Sequence, residues 1–194
     1  MSSPHAEPGC HAQPPRSGVA GLLPFEVRQK LISNGWGVLP IRIHDGAGKS
    51  AGKAPSIRGW QLFAQFGAKL PTVADLKDWG RSTLKAPGTG IATGNVIAID
   101  LDLSDAVTLN EVKAIAFEVF GATPFVRQGR APRVALIYRA TEAIGSVSLK
   151  VLHGAGDGLD ILANGRQFVA YGIHPVTRCP YVWIAAAQPL SSRP

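Results

Sequence analysis

Val96-Ile-Ala-Ile-Asp-Leu-Asp-Leu103 is the stretch whose reading decides the fold. Three β-branched residues in its first four positions favour a strand, and Gly94-Asn95 just before it has the form of a two-residue hairpin turn from a preceding strand over 90–93. Side chains alternate along a strand, so Asp100 and Asp102 project from one side while Leu101 and Leu103 point to the other. Two carboxylates at that spacing repel each other unless positive charge sits between them. A divalent cation would supply it, and hard carboxylate oxygens suit magnesium or manganese. The other reading open to the pair is solvation where the strand runs out, or capping of the helix that follows.

Working outward, a further acid stands in a second strand-like run, Gly158-Leu-Asp-Ile-Leu162. Acids are depleted in strands and seldom buried alone, so Asp160 needs a partner. Should its strand lie beside the first, three carboxylates would converge and could hold two Mg2+ or Mn2+ ions, one activating an attacking oxygen and one neutralising a leaving phosphate. Pairing with an arginine is equally open. Between the acids runs Val126-Arg-Gln-Gly-Arg-Ala-Pro-Arg-Val-Ala-Leu-Ile-Tyr-Arg139, which carries Arg127, Arg130, Arg133 and Arg139. Guanidinium groups match phosphate oxygens bidentately, so this cluster suits a nucleoside triphosphate or a nucleic-acid backbone, unless it is only an exposed basic loop.

The flanking pattern fills in an α+β domain. Residues 104–120 read as the clearest helix, with Ser104 or Asp105 as N-cap and Val107, Val112, Ile115, Ala116 and Val119 spaced to face a sheet. Further strands are expected at 36–43, 125–128, 134–139, 146–152, 159–162, 167–171 and 181–184, and shorter helices at 22–32, 60–66 and 72–79. Helices inserted near the start of a sheet, without regular βαβ alternation, point away from a doubly wound fold.

The chain has 194 residues, enough for one domain at roughly 150 residues each. With 45% hydrophobic and 17% charged residues it is neither a disordered protein nor a coiled coil. Twenty Lys and Arg against 13 Asp and Glu leave a net charge of +7, which suggests a polyanionic partner. Cys10 and Cys179 share no metal or disulfide spacing, and no membrane span or signal peptide is visible, so a soluble cytoplasmic protein is expected. Residues 1–19 read as a flexible tail, 20–187 as the domain and 188–194 as a C-terminal tail. His5, Cys10 and His11 could chelate a metal, but a tail without apolar periodicity gives them no scaffold. Gly46-Ala-Gly-Lys-Ser50 imitates a P-loop, yet that motif needs glycine where Ile43 stands. The basic loop can still meet phosphates through Lys49, Lys53 or Arg58. His44, His153 and His174 stand in expected loops or turns and read as structural.

Taken in order, the motifs resemble the N-terminal primase-polymerase (prim-pol) domain of the archaeo-eukaryotic primase superfamily, found in plasmid, phage and prophage replication proteins. The likeness runs through Gly35-Trp-Gly-Val-Leu-Pro40, Gly52-Lys-Ala-Pro55 with Gly59-Trp60, Gly88-Thr-Gly-Ile-Ala-Thr-Gly94 and Ile99-Asp-Leu-Asp102. It continues through Gly158-Leu-Asp-Ile161, Gly165-Arg-Gln-Phe-Val-Ala170, His174-Pro175 and Tyr181-Val-Trp183. The resemblance implies a two-part domain, an RRM-like catalytic sheet and an N-terminal α/β portion with a cleft between them. It also implies template-directed nucleotidyl transfer, with Asp100, Asp102 and Asp160 as catalytic acids and metal ligands. The implied partners are a single-stranded DNA template, nucleoside triphosphates, and a helicase either separate or C-terminally fused.

One motif departs from the family. Its second motif usually supplies a histidine to the nucleotide phosphates, whereas Arg130-Ala-Pro-Arg-Val-Ala-Leu-Ile-Tyr-Arg139 has none. Arg130 and Arg133, with Lys53, are then the nucleotide-binding cations, while Lys49, Arg58 and Arg127 remain for the template. An arginine holds phosphate but does not release a proton near neutral pH as an imidazolium does. The departure leaves a second expectation beside the enzyme, a catalytically silent nucleic-acid-binding module of the same fold. A metal-dependent nuclease using the same acids is a third.

Overall fold

A computed structural model describes residues 22–42, 52–80, 86–150, 157–184 and 189–194. Lys49, His44, His153 and the expected N-terminal tail lie outside the described residues. Element order is α1 (Pro24–Ser33), β1 (Val38–Ile41), a 3-10 turn (Trp60–Phe63), α2 (Val73–Asp78), β2 (Gly88–Ala92), β3 (Val96–Asp102) and α3 (Ala106–Phe120). There follow β4 (Val126–Gln128), β5 (Val134–Arg139), β6 (Val147–Lys150), β7 (Gly158–Leu162), β8 (Gln167–Tyr171) and β9 (Val182–Trp183). Two antiparallel sheets result, a small one ordered β1-β2-β8 and a large one ordered β6-β7-β3-β5-β4-β9. Among the described residues no helix is long and apolar enough to cross a membrane.

The expected hairpin at Gly94-Asn95 does not form. β2 pairs with β1 and β8, whereas β3 pairs with β5 and β7, so the two consecutive strands belong to different sheets. The reason lies in tertiary contact. Gly94 presses on the backbone of Gln65, where a Cβ would come within 2.5 Å, and the Asn95 side chain is spent on Gly67 N–H (2.8 Å) and Ala68 O (3.0 Å). These contacts tie the crossing point to the loop after the 3-10 turn.

The period-2 pattern of β3 serves two cores. Ile99, Leu101 and Leu103 pack under α3 with Leu109, Ala116, Val126, Val134 and Leu136. On the opposite face, Val96 and Ala98 join Trp36, Phe125, Ala135, Ile137 and Phe168 in a core shared with α1 and the small sheet. Asp100 and Asp102 continue this second face beyond the apolar part, which places them where the two sheets part.

Helix α3 turns a different side to the sheet than its apolar spacing suggests. Asp105 caps it, accepting from Thr108 N–H at 2.7 Å, and Leu109, Val112, Ala116 and Phe117 face inward. Val107, Ile115 and Val119 are 66, 59 and 65% exposed. Both stripes are apolar at helical spacing, so the sequence alone could not decide between them.

Two further departures concern the termini and the cysteines. Leu190, in the expected C-terminal tail, is buried in the main core, and the carbonyls of Pro189 and Ser192 accept from Asn34 (2.9 Å) and Trp36 Nε1 (2.8 Å). Cys179 is disulfide-bonded, a pairing that the spacing of the two cysteines does not suggest. In α1, Arg28 is wholly buried, donating to the carbonyls of Ala86 and Gly88, and burial lowers its pKa to about 10. It ties the helix to the start of β2.

Candidate active site

Because the large sheet is antiparallel throughout, its register can be followed straight across all six strands. One row reads Trp183, Arg127, Ala135, Asp100, Asp160, Ser148 from β9 to β6. Residues in such a row share one face, so Asp160 lies on the same side as Asp100 and directly opposite it. Alternation puts Asp102 on that face too, opposite Gly158. A Cβ at Gly158 would come within 2.9 Å of the Leu149 carbonyl, so the neighbouring strand leaves no room for a side chain there.

Each acid of β3 already has a cationic neighbour. Arg127 Nη2 lies 3.4 Å from Asp100 Oδ1, and Arg133 Nη1 lies 3.3 Å from Asp102 Oδ1. Among the described residues, no three His, Cys, Asp or Glu side chains are gathered as a metal cage. Burial still raises the Asp100 pKa; Arg127 and Lys53 oppose that shift, while Asp102 and Asp160 add to it.

Arg127, expected to meet the template, is largely enclosed. It is 7% exposed, with Nη1 donating to Val169 O at 3.0 Å and the guanidinium 4.9 Å from the Tyr181 ring centre and 5.9 Å from that of Phe168. A side chain so enclosed joins the two sheets and neutralises Asp100. Only a small part of it is exposed to the cleft it lines. Arg133 is held as firmly by a residue the sequence reading passed over, Asp157. That carboxylate accepts from Arg133 Nη2 (3.3 Å), Ser104 N–H (3.2 Å) and Ser104 Oγ (2.9 Å), so it links the α3 entrance to the basic loop. Its place beside the Gly158-Leu-Asp motif was the signal available.

A cleft of about 200 Å³ opens over this row. Asp100, Asp102 and Arg127 line it from the large sheet, Arg130 and Arg133 from the loop between β4 and β5, and Gln167, Phe168 and Val169 from β8, with Lys53, His174 and Tyr181 also in the lining. Lys53 and Arg130 are exposed, and the Lys53 carbonyl accepts from Gln167 Nε2 at 2.7 Å, which fixes the basic loop to β8. Arg58 is exposed and is not part of the lining, nor is Asp160.

His174 was expected to be structural, and the structure brings it into the cleft. It is 8% exposed and packs edge-on to Tyr181 with ring centres 5.3 Å apart. Burial, then Lys53, Arg127, Arg130 and Arg133, lower its pKa to about 4, so the ring is neutral. Burial likewise raises Tyr181 to about 12.

A single cleft thus joins paired carboxylates on a strand end to a wall of guanidinium groups, and the comparison with known families agrees with that chemistry. A model of the bifunctional DNA primase/polymerase N-terminal domain matches residues 28–194. The chain belongs to this family. No curated protein matches it. As a primase/polymerase domain it is a nucleotidyltransferase of DNA replication, whose family acts on single-stranded DNA and nucleoside triphosphates and depends on metal. The matched span includes every described residue placed in the cleft above.

Proposed function

We propose that this primase/polymerase domain extends a primer or initiating nucleotide on single-stranded DNA through Asp100, Asp102 and Asp160. The observation that carries the reading is the direct cross-strand opposition of Asp160 to Asp100, which lines the cleft, on one face of the sheet. The donors fit magnesium or manganese, since all three are hard carboxylate oxygens, and each recorded ion pair engages only Oδ1 of its aspartate. Two such ions, when bound, would supply activation of the attacking 3′-hydroxyl and neutralisation of charge on the departing pyrophosphate.

The chain's own residues do the rest. Arg130, Arg133 and Lys53 hold the triphosphate, fixing the α-phosphate over the β3 end, while Phe168 and Val169 form an apolar wall that limits water there. Arg127 pairs with Asp100 and opposes the rise that burial imposes on its pKa. Lys49 and Arg58 grip the template strand, and a helicase, separate or fused, opens the duplex. The strand order β7-β3-β5-β4, with α3 between β3 and β4, supports an RRM-like catalytic half, and the small sheet with α1 the N-terminal portion.

The test is nucleotide incorporation on primed and unprimed single-stranded DNA, with magnesium or manganese and with ribo- and deoxynucleotides separately. The expected result is incorporation that Asp100→Ala, Asp102→Ala and Asp160→Ala each abolish. Template binding without incorporation under either metal would make the domain a silent binding module, and shortening of labelled DNA would make it a nuclease.

A further inference from the structure

Among the described residues His174 is the one imidazole in a cleft whose other polar lining is two carboxylates, three guanidinium groups, Lys53, Gln167 and Tyr181, and its orientation is fixed by its own loop. Val176 N–H (3.3 Å) and Thr177 N–H (3.2 Å) both donate to Nδ1. A ring nitrogen that accepts from two donors carries no proton, so in the neutral ring the proton sits on Nε2. The loop itself is closed by His174 N–H to Cys179 O (2.8 Å), Arg178 N–H to His174 O (2.9 Å) and the Ile173–Pro180 bridge. Across the cleft, Gly129 leaves room for the ring: a Cβ there would lie 3.1 Å from His174 Cδ2 and 2.5 Å from Tyr181 Cε1. Nε2 makes no hydrogen bond among the described residues.

We infer that His174 is a nucleotide-binding residue whose Nε2–H donates to a non-bridging oxygen of the incoming triphosphate. This rests on the polymerase reading of the cleft. The ligand is identified by its charge density. Lys53, Arg130 and Arg133 surround the same space, and a cavity of about 200 Å³ suits a compact polyanion better than a strand of DNA, which needs an open groove. The role differs from acid catalysis, because a ring held neutral with Nδ1 occupied has a donor to offer and no spare proton. It also gives the nucleotide a neutral, directional contact among cations that bind by charge.

The experiment uses the full chain and two kinds of ligand: the α,β-methylene analogues of ATP and dATP with magnesium, and a single-stranded oligonucleotide. In His174→Asn, the Asn Oδ1 takes over the two backbone N–H bonds of the loop while the distal donor is lost. The expected result is a loss of about 10- to 100-fold in analogue affinity, with oligonucleotide affinity and thermal midpoint unchanged. Unchanged analogue affinity overturns the inference, and so does an equal loss for the oligonucleotide. If the wild-type chain binds neither analogue, the polymerase reading fails and the inference with it. Should the variant unfold, nitrogen NMR of the wild-type imidazole decides: Nδ1 bare, Nε2 protonated and the Nε2–H resonance shifted by the analogue is the expected pattern, and a protonated Nδ1 or an unmoved resonance is the contrary one.

Discussion

Arg127 and Asp100 belong to strands two places apart in the large sheet, yet their charged atoms approach to 3.4 Å because the residue between them in the row is Ala135. Ala135 is fully buried, and its methyl group is short enough for the guanidinium to pass above it. The smallness of one side chain therefore lets a cation reach a carboxylate across an intervening strand.

Ala135→Leu is expected to block that path and overfill the core. The cost is about 1–3 kcal/mol, measured by urea unfolding, with primer extension falling to background. Ala135→Gly keeps the path open and is expected to retain extension while losing about 1 kcal/mol of stability. If the leucine variant extends primers normally, Arg127 does not serve Asp100.

Asp157 holds Arg133 and the Ser104 backbone at once, with 6% of its side chain exposed. Asp157→Asn keeps the shape but removes the charge and one acceptor, so a loss of about 1–3 kcal/mol is expected. Because Arg133 would be released toward the cleft, the Michaelis constant for nucleotide should rise more than the turnover number falls. Steady-state kinetics at varied nucleotide concentration separates the two. An unchanged constant would mean that Arg133 does not need Asp157 to hold its place.

Much of this arrangement was legible in the chain. Strands 134–139 and 167–171 were read with the bounds they have, because β-branched and aromatic residues run between clear turn signals. Asp100, Asp102 and Asp160 stand out in the sequence because Asp inside an apolar strand is costly enough to demand a reason. Burial of Arg127 was not legible: nothing local separates it from Arg130, and only the pairing of β4 with β5 and β9 encloses it. The same holds for His174, whose two backbone donors come from its own turn but whose cleft is assembled by Gly129 and Tyr181 from elsewhere. Gly94-Asn95 misled because turn chemistry is local, whereas the choice of partner strand is made by the whole core.

Gly129 is where the cleft has least slack. Gly129→Ala drives a methyl group into Tyr181, so the ring stacked under the Arg127 guanidinium must move, and His174 with it. The expected loss is about 1–3 kcal/mol of stability together with weakened triphosphate binding, while oligonucleotide binding is kept. Calorimetry with the two ligands in turn checks this. Undiminished triphosphate affinity would show that the cleft repacks without cost.

Acid should expose the neutral state of His174. Its pKa is about 4 in the folded chain against about 6.5 unfolded, so between those values the unfolded state binds the extra proton. Its contribution is complete above about pH 6.5 and is lost as the pH falls toward 4, by about 2 kcal/mol. Asp100, whose pKa is raised, works in the opposite sense, since the folded state there binds its proton more readily than the unfolded chain. The difference between wild type and His174→Asn removes that shared background. Unfolding free energies at intervals from pH 4 to 7 should coincide for the two proteins near pH 7 and separate toward the acid end, where the wild type falls below His174→Asn, and parallel curves would mean that the imidazole titrates freely in the folded chain.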